Sequence, residues 1–115
     1  SREELLKILD PLVEKALKGY NLEDPVMFFE NFAESMRPTT TPQYFKAVYL
    51  QYKKEFGKFI SKTLIKDKSS FDLYYPVLVY RGNFENNKKI IIKVNFMNEY
   101  GFYRITQIEF DKVYD

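Results

Sequence analysis

The sequence predicts an α+β chain: three N-terminal helices packed on one face of a curved four-stranded antiparallel meander. Three observations carry this. Apolar residues recur at helical spacing as far as Phe56 and alternate after Gly57. Asp24-Pro25 and Thr41-Pro42 each place a capping side chain before a proline, the signal that opens a helix. The strand-like runs after Gly57 are joined by turns too short for parallel crossovers. Helices followed by strands cannot build a βαβ sheet, so the helices must lie on one face of the meander.

In order along the chain, Leu5, Leu6, Ile8, Leu9, Leu12, Val13, Ala16 and Leu17 predict one helix over about residues 3–18, kinked at Pro11 and closed by Gly19. The apolar stripe Val26, Phe28, Phe29, Phe32, Ala33 and Met36 predicts a second helix over about 25–37, stopped by Pro38. A third helix from Pro42 carries Phe45, Val48, Tyr49, Tyr52 and Phe56, and Gly57 ends it. Strands are predicted over 59–66, 73–84, 88–98 and 102–113, with turns at Asp67–Ser70, Asn86-Asn87 and Asn98–Gly101. The whole chain, 1–115, reads as one domain, with residues 1–9 as a peripheral helical extension.

Composition excludes several chemistries. At 115 residues with 45% apolar content, the chain is long enough for a real core. It has neither Cys nor His. That removes Cys/His zinc sites, thiol chemistry and the Ser-His-acid triad, so any acid–base work falls to a carboxylate, Lys or Tyr. No metal or cofactor is expected. The net charge is +2, split as 8 basic and 9 acidic residues in 1–57 and 10 basic and 7 acidic in 58–115. Neither half has the cationic density of a nucleic-acid binder. Gly57, Gly82 and Gly101 lack phosphate-loop spacing and read as turn or bulge glycines. No run approaches the ~20 apolar residues of a membrane helix. The chain begins at Ser1, so localisation stays open between a cytoplasmic protein and one secreted or anchored through a removed leader.

The composition also holds 11 Phe and 10 Tyr without Trp, and the strands show apolar groups on both parities. Leu73, Tyr75, Val77 and Val79 oppose Tyr74, Leu78 and Tyr80; Phe102, Ile108 and Phe110 oppose Tyr103 and Ile105. An apolar face left uncovered marks a contact surface. The residues Tyr74, Leu78, Tyr80, Tyr103 and Ile105 are therefore the candidate sheet-face interface, for instance of a homodimer. Tyr49 and Tyr52 on the third helix, with Tyr75 from the sheet, are the candidate ligand pocket. Arg81, Lys93 and Arg104, on neighbouring strands, are a candidate anion contact. The plainer alternatives are packed tyrosines and ordinary surface charge that discourages strand aggregation.

The stretch Val13–Phe59, VEKALKGYNLEDPVMFFENFAESMRPTTTPQYFKAVYLQYKKEFGKF, joins a helix, a "KGY" turn, a helix ending in "ESMRP", a "TP" start and a helix running into "EFGKF". With "YYPVLVYRG" and "KIIIKVNFMNEYGFYRITQIEF" it resembles a family of small bacterial and archaeal domains of unknown function in the nuclear-transport-factor-2-like (cystatin-like) superfamily. The resemblance covers about residues 10–113 and implies a bent sheet wrapping the helices into a cone with a pocket at its open end. Members include isomerases, dehydratases, ligand binders and partner-joining modules, so the fold does not choose among them. The isomerases pair a carboxylate base with hydrogen-bond donors in an apolar pocket, and no position here matches that base. Glu109 is the one carboxylate within a predicted strand core and reads as a solvated strand residue. The expectation is a non-catalytic module for a small apolar or amphipathic ligand or a protein partner. The alternatives are an isomerase- or hydrolase-like enzyme using carboxylate and Tyr, and a structural dimerisation domain.

Overall fold

A computed structural model describes residues 1–113. Helix α1 spans Arg2–Leu22, opened by the Ser1 hydroxyl accepting from Glu4 N–H. It runs past Gly19 and ends where Glu23 turns into the left-handed region at φ 55°. Gly19 has a different task from the expected cap. A Cβ there would stand 2.5 Å from the Phe28 nitrogen, so this glycine lets the next helix press against α1.

Helix α2, Pro25–Phe29, starts as expected, with the Asp24 carboxylate accepting from Met27 N–H. It does not continue to residue 37. The backbone of 31–33 instead pairs with the last strand: Ala33 N–H donates to Ile105 C=O and Ile105 N–H to Asn31 C=O, both at 2.8 Å. These long-range bonds outcompete the helix, and the chain resumes as a 3₁₀ turn over Glu34–Thr39. Helix α3, Pro42–Phe56, is capped by Thr41 and closed by Gly57 at φ 77°.

The strands are β1 (Phe59–Leu64), β2 (Val77–Phe84), β3 (Asn87–Glu99) and β4 (Phe102–Lys112), antiparallel in the order β1-β2-β3-β4. Residues 73–76 fall outside β2. The Asp72 carboxylate takes the amides of Tyr74 and Tyr75, and Pro76 has no N–H to give. The segment still runs beside β3, with Asn98 N–H donating to Tyr74 C=O and Phe96 N–H to Pro76 C=O.

One face of the sheet carries Leu78, Tyr80, Phe84, Ile90, Ile92 and Val94 against the helices, in a single buried cluster with Leu9, Leu17, Tyr20, Phe28 and Phe45. The assignment of Leu78, Tyr80 and Ile105 to an uncovered face is corrected here: all three are at most 2% exposed and meet the helices. A bulge explains Ile105. Asn95 pairs with Gln107 and Phe96 with Ile105, so Thr106 is an extra residue. A bulge shifts side-chain parity, bringing Ile105 onto the face of Ile108 and Phe110. The opposite face carries Thr63, Arg81, Lys93, Asn95, Gln107 and Glu109 around Val79 and Ile91. No helix among the described residues is long and apolar enough to cross a membrane.

Candidate functional site

Helix α3 lies along the β4 edge, which fixes what its tyrosines do. Tyr49 is buried, and its hydroxyl donates to Ile108 C=O at 2.8 Å. Its ring packs 4.2 Å from that of Phe28, centroid to centroid. Burial pushes its pKa up, because a phenolate would lose its water. Tyr52 stacks on Phe56, and its ring centre lies 5.1 Å from that of Phe110. Tyr49 therefore serves an edge carbonyl of β4, and Tyr52 packs against the same strand. Tyr75 sits far from them in sequence and setting, exposed on the 71–76 loop. The expected Tyr49–Tyr52–Tyr75 pocket is not assembled. A cleft of about 320 Å³ does open beside Tyr49, lined by Phe29, Phe32, Met36, Tyr44, Thr106 and others. No carboxylate lines it.

The open face makes Arg81 and Lys93 diagonal neighbours and sets Arg104 apart. Arg81 pairs in register with Ile91 and Lys93 with Glu109, while Arg104 pairs with Met97, four residues further along β3 than Lys93. Four strand residues span roughly 13 Å, so Arg104 stands apart, its guanidinium 5.4 Å from the Phe102 ring centre. Arg81 borders a broad, shallow depression of about 750 Å³ that also includes Lys66 and Lys68.

The end of the sheet at the β3–β4 hairpin is apolar on its outside. Leu73, Tyr74, Tyr75, Tyr100 and Phe102 are each between 65 and 97% exposed. They are held together from below. Tyr103, expected in the sheet-face interface, is half-buried and donates its hydroxyl to Leu73 C=O at 2.9 Å, and Asn98 N–H donates to Tyr74 C=O at 2.8 Å. Tyr74 is thus exposed as expected, but at the end of the sheet.

One polar cluster escaped the sequence reading. Tyr80 donates to Asp10 Oδ1 at 2.7 Å. Lys62 Nζ lies 3.1 Å from Asp10 Oδ1 and 2.8 Å from Glu14 Oε2, and 4.9 Å from the Tyr80 ring centre. Desolvation first, and the Asp10 hydrogen bond second, raise the Tyr80 pKa, keeping the phenol a donor. Two signals were available: Asp10 and Glu14 share one helix face at i, i+4, and Lys62 occupies the inward parity of β1 beside Leu64. A cleft of about 470 Å³ adjoins this cluster between α1 and β1. No group of three acidic residues positioned to hold a metal occurs among the described residues. No protein-family model matches the sequence, and no curated protein is detectably similar to it.

Proposed function

We propose that the chain is a non-catalytic interaction module that docks a partner protein through the aromatic end of its sheet. The observation that carries this is the group Leu73, Tyr74, Tyr75, Tyr100 and Phe102, 65–97% exposed on a rigid hairpin and its adjoining loop. Exposed apolar groups concentrated at one place mark contact sites. Tyrosine suits them, because its ring supplies area at small entropic cost while its hydroxyl stays hydrated. The carboxylate bonded to a buried tyrosine at a cleft, Asp10, is 37% exposed and ion-paired with Lys62, unlike the carboxylate base in an apolar pocket that an isomerase uses. The order of elements and the bulge in β4 support the expected kinship with nuclear-transport-factor-2-like cones.

A second reading rests on the cleft beside Tyr49. Its volume, about 320 Å³, lies at the small end of ligand sites, and its aromatic and Met lining suits a small amphipathic molecule.

Native mass spectrometry of the protein purified from its own host separates the two. A bound second chain, of another protein or of its own kind, that is lost in a Tyr75→Ser/Phe102→Ser variant supports docking at the aromatic end. A small-molecule adduct lost in Met36→Arg supports the cleft. An empty monomer contradicts both.

A further inference from the structure

Antiparallel pairing divides the backbone groups of β1 into two sets. Ile65 N–H donates to Val79 C=O at 2.8 Å, so Thr63 and Ser61, opposite Arg81 and Asn83, also face β2. The N–H and C=O groups of Lys62 and Leu64 therefore point away from the sheet. Among the described residues nothing bonds to them.

The neighbouring end of the same edge is filled. Asn21 Nδ2 donates to Phe59 C=O, and Phe59 N–H donates to Asn21 Oδ1, each at 2.8 Å. The amide of Asn21 stands where the backbone of a next strand would stand. Beyond it a trough continues between α1 and β1, made of clefts of about 470 and 170 Å³ that share Leu6 and Leu64. Leu6, Pro11, Leu64 and Phe71 give it an apolar floor and wall. Pro11 has no N–H, so the Lys7 carbonyl one turn earlier lacks its helical donor, and both residues line the trough.

We propose that this trough receives an extended peptide segment of a partner protein, added to β1 as a further strand, with apolar side chains against Leu6 and Leu64 and carboxylates toward Lys7 and Lys66. The backbone argument is the row of unpaired donors and acceptors at Lys62 and Leu64, the grip used in strand addition. The charge argument is the rim. Arg2, Lys7 and Lys66 line the trough, and neither lysine is in an ion pair among the described residues. Of the carboxylates there, Asp10 is already held by Lys62 and Tyr80, leaving Glu3. A second copy of this chain fits less well, because a two-fold contact would set the Arg2, Lys7 and Lys66 rims of two copies against each other. The surface is separate from the aromatic end, so Tyr75→Ser/Phe102→Ser should leave it intact and the two proposals fail independently.

The test uses a capped, fluorescein-labelled octapeptide of alternating Val and Glu, and the same peptide N-methylated at alternate residues along its pairing edge. Residue-resolved hydrogen exchange on the wild-type protein should show the Lys62 and Leu64 amides slowed at least about tenfold by the first peptide. The N-methylated peptide should bind about tenfold more weakly, for the loss of two hydrogen bonds. Leu64→Pro removes one outward N–H that has no native partner, so it should keep the circular dichroism of the wild type and lose the peptide. Equal binding of the two peptides, or unchanged exchange at Lys62 and Leu64, overturns the proposal. Protection that rises with protein concentration in the absence of peptide also overturns it, in favour of a second copy.

Discussion

The two edges of the sheet are covered differently. The β4 edge is covered at its middle: the backbone of 31–33 pairs with Ile105, and Tyr49 caps Ile108 C=O. The β1 edge is closed at Phe59 by Asn21 and left open at Lys62 and Leu64. A bare edge is an aggregation hazard, and a chain that commits a broken helix and Tyr49 to one edge leaves part of the other available for a partner. The contrast ties local chemistry to function: closure comes from the 31–33 backbone and from the helix side chains Tyr49 and Asn21, and the opening lies along the cleft between α1 and β1.

The largest expected effect is in alkali. Tyr20, Tyr49 and Tyr80 are buried and their pKa values are raised above the unfolded value of 10.0. The folded state then holds protons that the unfolded state gives up. Their contribution is complete below pH 10 and is lost as pH rises above it, at up to about 1.4 kcal/mol per pH unit for each tyrosine. Urea midpoints between pH 9 and 11 should fall, and Tyr49→Phe should flatten that fall.

Next comes Gly19→Val. Its side chain would meet the Phe28 backbone at 2.5 Å, a contact that cannot yield without moving α2 and, with it, the 31–33 segment on β4. A loss of about 3 kcal/mol is expected, together with faster amide exchange at Ile105, the sign that the closed edge has been opened.

Smaller effects grade the individual closures. Tyr49→Phe at neutral pH should cost about 1–2 kcal/mol, since Ile108 C=O is left buried without its donor. Asn21→Ala should cost about 1 kcal/mol through its two part-buried bonds to Phe59. Leu64→Pro should cost no more than Leu64→Ala, which trims the same half-buried side chain, because the amide it removes has no partner. If Leu64→Pro destabilised well beyond Leu64→Ala, the two edges would not differ.

Much of the fold was legible in the sequence because its signals are local. Asp24-Pro25 and Thr41-Pro42 open helices where expected, since the cap bonds lie within three residues. The parity of β3 reads directly from Ile90, Ile92, Val94 and Phe96. What was not legible depends on partners far along the chain. Nothing near residue 30 says that its backbone will pair with Ile105 some seventy-five residues on, and nothing near Thr106 says that it will be the extra residue opposite β3. That bulge made Ile105 look like the wrong face, and with Leu78 and Tyr80 it created an apparent second apolar face that the fold does not have. The candidate sites were least legible. Nothing local to Tyr49 and Tyr52 shows that β4 lies beside α3, and nothing near Lys62 points to its partners on α1.

The most direct measurement is residue-resolved amide hydrogen exchange on the free protein at low concentration. The account predicts that the Lys62 and Leu64 amides exchange at nearly unprotected rates, while Thr63 between them and Ile105 on the far edge are slow. Protection of Lys62 and Leu64 equal to that of Thr63 and Ile105 would contradict it.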